Sequence, residues 1–480
     1  MDCFKDRRYL ICWVSAILIG ALFIRLAAAF YWQSSLESSG ERFRFGDSET
    51  YWVLAQKIVQ GSNYEYGGVD SRAFRAPGYP IFLASTMFFT GIFVGQDAGQ
   101  EFVLVARVVG CVLGVATIAL LMLATFQLAN SNKLDNQFSL LASLCCGFLG
   151  AFYLGAIGMS IFILSEAIFC PLMVLSLVAW HRSLQPGIKS PVTWQILAGV
   201  ASGAACLCRP SWLLWPGLLV VLSLIRWRFQ SSIFRSSDES ISEKSAASQI
   251  LFSKMVLSLI LFGFGMAAMM SPWWIRNYIV FEAFVPTTLQ VGASLYDGLH
   301  DGASGASDEG MRFTLETENE LREFDRLWHE KHPGSELQAF QAERLVPFEI
   351  RLNQALFSKA ISWVRENPYA TARLALIKFA KMWTPWPTAK EIGGLWVRIV
   401  EAIGYLFILG LAIVGFVTIA PSLRYPAMIY ASPVLYFAVL HTIFVGSVRY
   451  RQPAILVLTI VSGIGAAWML NQIEMKRKTR

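Results

Sequence analysis

The sequence predicts a helical protein that crosses a membrane many times, and three observations carry that prediction. Hydrophobic residues make up 55% of the 480 positions and charged residues only 15%, with a mean hydropathy of +0.49. Such a balance belongs to integral membrane proteins. Apolar runs of helical length recur from residue 9 to residue 472. Cations also flank these runs, as in Arg7, Arg8, Arg226, Arg228, Arg235 and the tail Lys476-Arg477-Lys478-Arg480. The net charge of +7 therefore marks cytoplasmic ends of spans and does not point to nucleic acid.

The runs suited to spanning helices are 9–30, 101–129, 138–160, 165–180, 194–208, 211–225, 254–274, 395–420, 426–446 and 452–472. The run from Tyr9 to Phe30 exceeds a signal-peptide core and is read as a retained helix. The pair 194–208 and 211–225 is short, fitting two thin helices or a hairpin. The run 79–94 is shorter than a span needs. Basic residues put the N-terminus and Arg226–Arg235 on the cytoplasmic side, so an even number of crossings separates them. Six runs lie between them without 79–94 and seven with it. Segment 79–94 is thus expected to lie along the membrane or dip into it.

The same count puts two long polar segments, 31–78 and about 275–393, on the outer face. Three regions follow: 1–274 as a catalytic membrane module that includes the outer loop 31–78, 275–393 as a mostly helical outer loop, and 394–480 as C-terminal spans with a basic cytoplasmic tail. Within the second region, Leu321, Phe324, Leu327 and Trp328 have helical spacing, and Ser335-Glu336 suits a helix start. Segment 368–383, with Lys378 and Lys381 beside Leu374, Ile377 and Phe379, reads as an interfacial helix with snorkelling lysines. The serine-rich 231–249 reads as a flexible cytoplasmic linker. No internal repeat relates the halves.

Eight cysteines lie at the N-terminus or in apolar runs and imply no disulfide framework. Five histidines are scattered without metal-ligand spacing. No cofactor is called for, and a divalent cation stays open without a ligand cluster to argue for it.

Chemistry is expected from ionisable residues at the outer ends of spans. Asp47 sits in a polar loop too long for a simple helix connection. Glu166 opens the run 165–180, Arg209 lies between two short runs, Arg276 ends the seventh run, and Arg449 and Arg451 lie between the last two. All fall on one face by the crossing count. Acids with several arginines suit an anionic headgroup and a proton acceptor. Each also has a plainer reading. Asp47 and Glu166 are placed to cap helices, Arg276 to anchor at the interface beside Trp273 and Trp274, Arg209-Pro210 to end a helix, and Arg25 to snorkel from the first span.

Asp47-Ser48, Tyr51, Ala55, Gly61 and Tyr64, then Arg75-Ala76-Pro77-Gly78-Tyr79-Pro80, resemble the first outer loop of GT-C glycosyltransferases. The likeness is to the branch with bacterial aminoarabinose transferases and protein O-mannosyltransferases. Leu164-Ser165-Glu166, Cys208-Arg209-Pro210, Pro272-Trp273 to Asn277-Tyr278, Gly292 to Gly298, Asn367-Pro368 to Lys378 and Arg449-Tyr450-Arg451-Gln452-Pro453 continue it in order. The resemblance implies a GT-C-like bundle of about ten transmembrane helices. It further implies transfer, with inversion, of a sugar from a polyprenyl-phosphate carrier to an acceptor hydroxyl. The site would lie on the extracytoplasmic face, of the cytoplasmic membrane if the source is bacterial. Asp47 takes the place of the family's general base, Glu166 that of a second acid, and Arg75 that of a cation on the lipid phosphate. Tyr79, Arg276, Arg449 and Arg451 complete the expected donor-binding set. Ser48 stands where protein O-mannosyltransferases have another acid, and the large loop lacks their folded insert. The acceptor is left open among membrane lipid, glycan and protein.

Two other readings compete. A secondary transporter of an anionic lipid or sugar would show repeated halves and broken helices near the midplane, whereas here ionisable residues gather at one face. An assembly subunit that kept the fold and lost activity would share every feature above.

Overall fold

The computed structural model describes residues 7–68, 70–94, 99–130, 136–235, 241–308, 312–332, 347–387, 394–419 and 421–478. Among these residues the chain forms seventeen α-helices and no strand. In order they are α1 (Arg7–Ser38), α2 (Gly46–Val59), α3 (Gly78–Val94), α4 (Gly99–Asn130), α5 (Asn136–Phe152) and α6 (Leu154–Ile161). Then come α7 (Glu166–Ser183), α8 (Pro191–Cys208), α9 (Trp215–Arg235), α10 (Ile241–Phe281), α11 (Val291–Gly298) and α12 (Arg312–Lys331). The last are α13 (Phe348–Glu366), α14 (Pro368–Trp383), α15 (Leu395–Thr418), α16 (Arg424–Ile443) and α17 (Val448–Lys478).

Eight of the described helices are long and apolar enough to cross a bilayer: α1, α4, α8, α9, α10, α15, α16 and α17. The protein is a multi-pass membrane protein. Its centre is α17, with 78% of its most apolar stretch buried, against 11% for peripheral α1. Helices α5, α15 and α16 pack around α17. Close approach is possible because a Cβ at Gly465 would lie 2.2 Å from the Leu411 carbonyl oxygen of α15, which is the use of small residues between membrane helices.

Two expectations change, at 138–160 and 231–249, and the choice left open at 194–225 resolves to two helices. The run 138–160 is not one straight helix but the pair α5–α6, bent by 60°. The run 165–180 is α7, which carries Glu166, His181 and Arg182 at its ends and packs against α4 and α8. The runs 194–208 and 211–225 are separate helices, divided at Arg209 by a 3-10 turn over Pro210–Trp212. Much of 231–249 is also helical, since α9 runs to Arg235 and α10 starts at Ile241. The expected helix start at Ser335-Glu336 lies outside the described residues.

The bend at α5–α6 shows why Arg25 sits where it does. At the break the carbonyls of Gly150 and Ala151 lose their helical partners, which lipid cannot replace. Arg25 is 1% exposed and donates to both, at 3.0 and 3.1 Å, and to Ser160 Oγ at 3.2 Å. It does not snorkel; it completes a broken helix. Arg25→Met is expected to destabilise the purified protein by about 2–4 kcal/mol, because several buried acceptors lose their donor at once. Thermal unfolding of the variant beside the parent measures this.

The short helix α3 lies at one end of the bundle. Its α4 partners Phe102, Val103 and Ala106 all fall in the first turns of that helix, whereas deeper α4 residues such as Ile118 and Met122 pack on α1 and α5. Helix α3 is apolar but shorter than the eight helices that can cross a bilayer. The long polar segments meet at the same end: Glu349 of α13 accepts the backbone N–H of Arg72 and of Ala73, and Leu289 N–H donates to the Ala73 carbonyl at 2.9 Å.

Candidate active site

The loop before α3 is fixed against the end of α8. A Cβ on Gly78 would lie 2.8 Å from the Leu207 carbonyl and from Cys208 Sγ, so only glycine lets the chain pass there. That contact ties the loop carrying Arg75 to the end of α8, which Arg209 follows. Tyr64 braces the same loop, its hydroxyl meeting the Arg75 and Ala76 carbonyls at 3.1 and 3.3 Å.

Five charged side chains then converge from five parts of the chain. Asp47, in the first turn of α2, accepts from Arg75 Nη2 at 2.6 Å through one oxygen and from Arg449 Nη1 at 2.8 Å through the other. Arg449, in the first turn of α17, also donates through Nε to Glu166 at 2.7 Å. Arg209 pairs with the same Glu166 oxygen. Gln290 Oε1 holds the other arm of Arg75 at 3.0 Å. Arg449 is thus the bridge between the two acids, and three arginines face two carboxylates, leaving one net positive charge.

The two acids differ in setting. The Glu166 side chain is only 2% exposed, while those of Asp47 and Arg449 are 30% and 26% exposed. Glu166 is the buried anchor, and Asp47 borders open space. Neither residue is a helix cap through its side chain; both are spent on arginines. Burial alone would raise the Asp47 carboxyl, but Arg75 and Arg449 hold it well below the usual carboxylate range. It is ionised throughout the neutral range.

Partner chemistry separates these cations from the rest. Arg25 and Arg107 bond carbonyls at the ends of α5 and α6, with Arg107 Nη1 at 2.6 Å from Ile161 O. Lys378 is fully buried and donates to Ile443 O, the last residue of α16, at 2.7 Å. Arg451, expected to bind the donor, is likewise buried; it donates to the Met382 and Thr384 carbonyls at the end of α14 and lies over the Tyr405 ring. Each neutralises the negative end of a helix. Lys378 therefore does not snorkel, and Arg451 is not brought to the acids.

The remaining expected residues lie around the cluster. Arg276 donates to the Tyr64 carbonyl at 3.1 Å and lies over Trp273, so it supports the Arg75 loop from behind. Tyr79 is 1% exposed and packs edge-on against Tyr51, whose ring lies under Arg75. Arg209 stands among the ionisable residues expected to carry chemistry but outside the expected donor-binding set, and Gln290 is in neither. The Arg-Pro step between two apolar runs was a signal for the first; nothing local marks the second. Among the described residues no group of three or more His, Cys, Asp or Glu side chains is placed to hold a metal ion.

A titrating contact ties the two polar segments together behind Arg75. Burial pushes the Glu349 carboxyl up to about 7, against the opposing effect of its two backbone donors and Arg276. A raised carboxyl favours the folded protein most when protonated, so this contribution is full below the ordinary value of 4.5 and is lost as pH rises towards 7. Thermal stability should fall across that window, and Glu349→Gln should flatten the fall. Melting curves from pH 4 to 8 test both statements.

The helical architecture of the described residues defines a class, an all-helical multi-pass membrane protein, here with a charged cluster at one end of the bundle. No protein-family model and no curated protein matches the sequence. Among solved structures, the chain is similar to the Archaeoglobus fulgidus oligosaccharyltransferase in its apo form, with a TM-score of 0.51 at 14% identity. It is also similar to the archaeal oligosaccharyltransferase AglB from the same organism in complex with an inhibitory peptide and a dolichol-phosphate, with a TM-score of 0.49 at 13% identity. In both cases 97% of this chain is covered but only 51–52% of the other, so the chain spans about half their length.

Proposed function

We propose that this protein is a glycosyltransferase that takes a sugar from a polyprenyl-phosphate carrier and passes it, with inversion, to an acceptor hydroxyl at the outer membrane face. The observation that carries the reading is Asp47, half open and bridged to buried Glu166 through Arg449. The cluster's single surplus positive charge suits the one negative charge of a phosphodiester donor, and its place at the bundle's end lets the lipid tail remain among the helices.

The chemistry needs only what is present. A sugar on a lipid phosphate already has a good leaving group. The acceptor oxygen bonds to the anomeric carbon as the bond from that carbon to the phosphate oxygen breaks. The electron pair leaves on the phosphate, and the acceptor proton passes to Asp47. Such general-base help contributes about 10²–10⁴-fold. Arg75 and Arg449 stabilise the charge that grows on phosphate; losing one such donor typically costs about 10²–10³ in rate. Glu166 with Arg209 keeps Arg449 aimed. Because Arg75 and Arg449 are shared between Asp47 and the incoming phosphate, donor binding loosens their hold on Asp47 and restores its basicity.

A transfer assay tests the proposal. The purified protein in liposomes, given the polyprenyl-phosphate-sugar fraction of its source cells, should move label from lipid phosphate to a second molecule. Label that stays on the lipid phosphate would refute it.

A further inference from the structure

We infer that Tyr450 is a catalytic residue of this site, its phenol donating a hydrogen bond to the phosphate oxygen that leaves the sugar; the inference rests on the donor reading above. Tyr450 follows the bridging Arg449 in the first turn of α17. It is thus the chain neighbour of the residue that joins the two acids. Its ring also lies near Arg209, the partner of Glu166, so the phenol borders the five charged groups described above. Each of those five has ionic partners. The Tyr450 hydroxyl has no hydrogen-bond partner among the described residues, and it is not among the buried polar atoms lacking one. It is an open donor beside charges that are paired with one another.

Its ring is held still. His441 of α16 stacks on it at 4.3 Å between centroids with planes 5° apart. His441 is fixed in turn through Nδ1, 2.9 Å from the Val445 carbonyl; that carbonyl accepts, so Nδ1 carries the proton. The Arg209 guanidinium lies 5.8 Å from the same ring. A pre-oriented donor of this kind acts most where negative charge develops. A carboxylate or arginine at this position would either repel the phosphate or add a second full charge. A neutral phenol donates without changing the charge balance and gives up no proton in the step.

Tyr450→Phe keeps the ring and its stack and removes only the hydroxyl. In the liposome assay it should lower kcat about 10- to 100-fold while the donor KM changes less than about threefold. His441→Ala should lower kcat less, and in a Tyr450→Phe background it should lower it no further, since both act through one hydroxyl. Far-ultraviolet circular dichroism and melting of Tyr450→Phe should match the parent. Transfer within twofold of the parent overturns the inference alone, as does a rise in KM with kcat unchanged. Full additivity of His441→Ala with Tyr450→Phe also overturns it. No transfer by the unaltered protein overturns the functional reading and the inference together.

Discussion

Asp47→Asn is expected to abolish transfer yet bind polyprenyl phosphate more tightly than the parent. The first half follows from losing the base, a loss of about 10²–10⁴ in kcat. The second follows from the ion pairs at 2.6 and 2.8 Å. In the empty site Asp47 competes with any phosphate for Arg75 and Arg449. An amide binds the same arginines weakly, so the anion meets two released guanidiniums and about tenfold tighter binding is expected, near 1.4 kcal/mol. Tryptophan fluorescence or isothermal calorimetry with polyprenyl phosphate, beside the transfer assay, separates the halves. Weaker binding by Asp47→Asn would mean that the acid organises the arginines and does not compete with the ligand.

Arg449→Gln should have the second large effect, and on two readouts. Arg449 touches both acids, and removing it leaves Asp47 with Arg75 alone and buried Glu166 with Arg209 alone. Transfer should fall by about 10²–10³, as for loss of one donor to a developing anion. Breaking a buried pair outright costs about 3–5 kcal/mol. Here Arg209 remains with Glu166, so about 1–3 kcal/mol is expected in thermal or denaturant unfolding. Arg449→Lys restores the charge without the bidentate reach and should recover stability better than rate. Equal recovery of both would assign Arg449 a structural role only.

Much of this site was legible in the sequence because its members are ionisable residues in an apolar chain, where each must have a reason. Glu166 and Arg449 stand at ends of apolar runs, Asp47 lies in the polar loop 31–78, Arg75 is marked by the family resemblance, and the crossing count puts all four on one side. The structure brings these four into one contact network. What the sequence did not reveal is which arginine meets a carboxylate and which meets a carbonyl. Arg449 and Arg451 are two residues apart yet point to different partners, because a helix turns about 100° per residue. The α5–α6 bend was hidden for a related reason: hydropathy over 138–160 is continuous, and only the Arg25 contact with the freed carbonyls marks the break. Gln290 is neutral and far from Arg75 in sequence, so neither periodicity nor charge could pair them.

The central claim is most directly tested in cells, by mass spectrometry of envelope lipids and glycans with the parent protein and with Asp47→Asn. The account predicts that one sugar unit disappears from a single class of acceptor in the variant, while the matching sugar-charged polyprenyl phosphate accumulates. Identical acceptors in both strains, or a carrier lipid redistributed between leaflets without loss of any sugar, would contradict it.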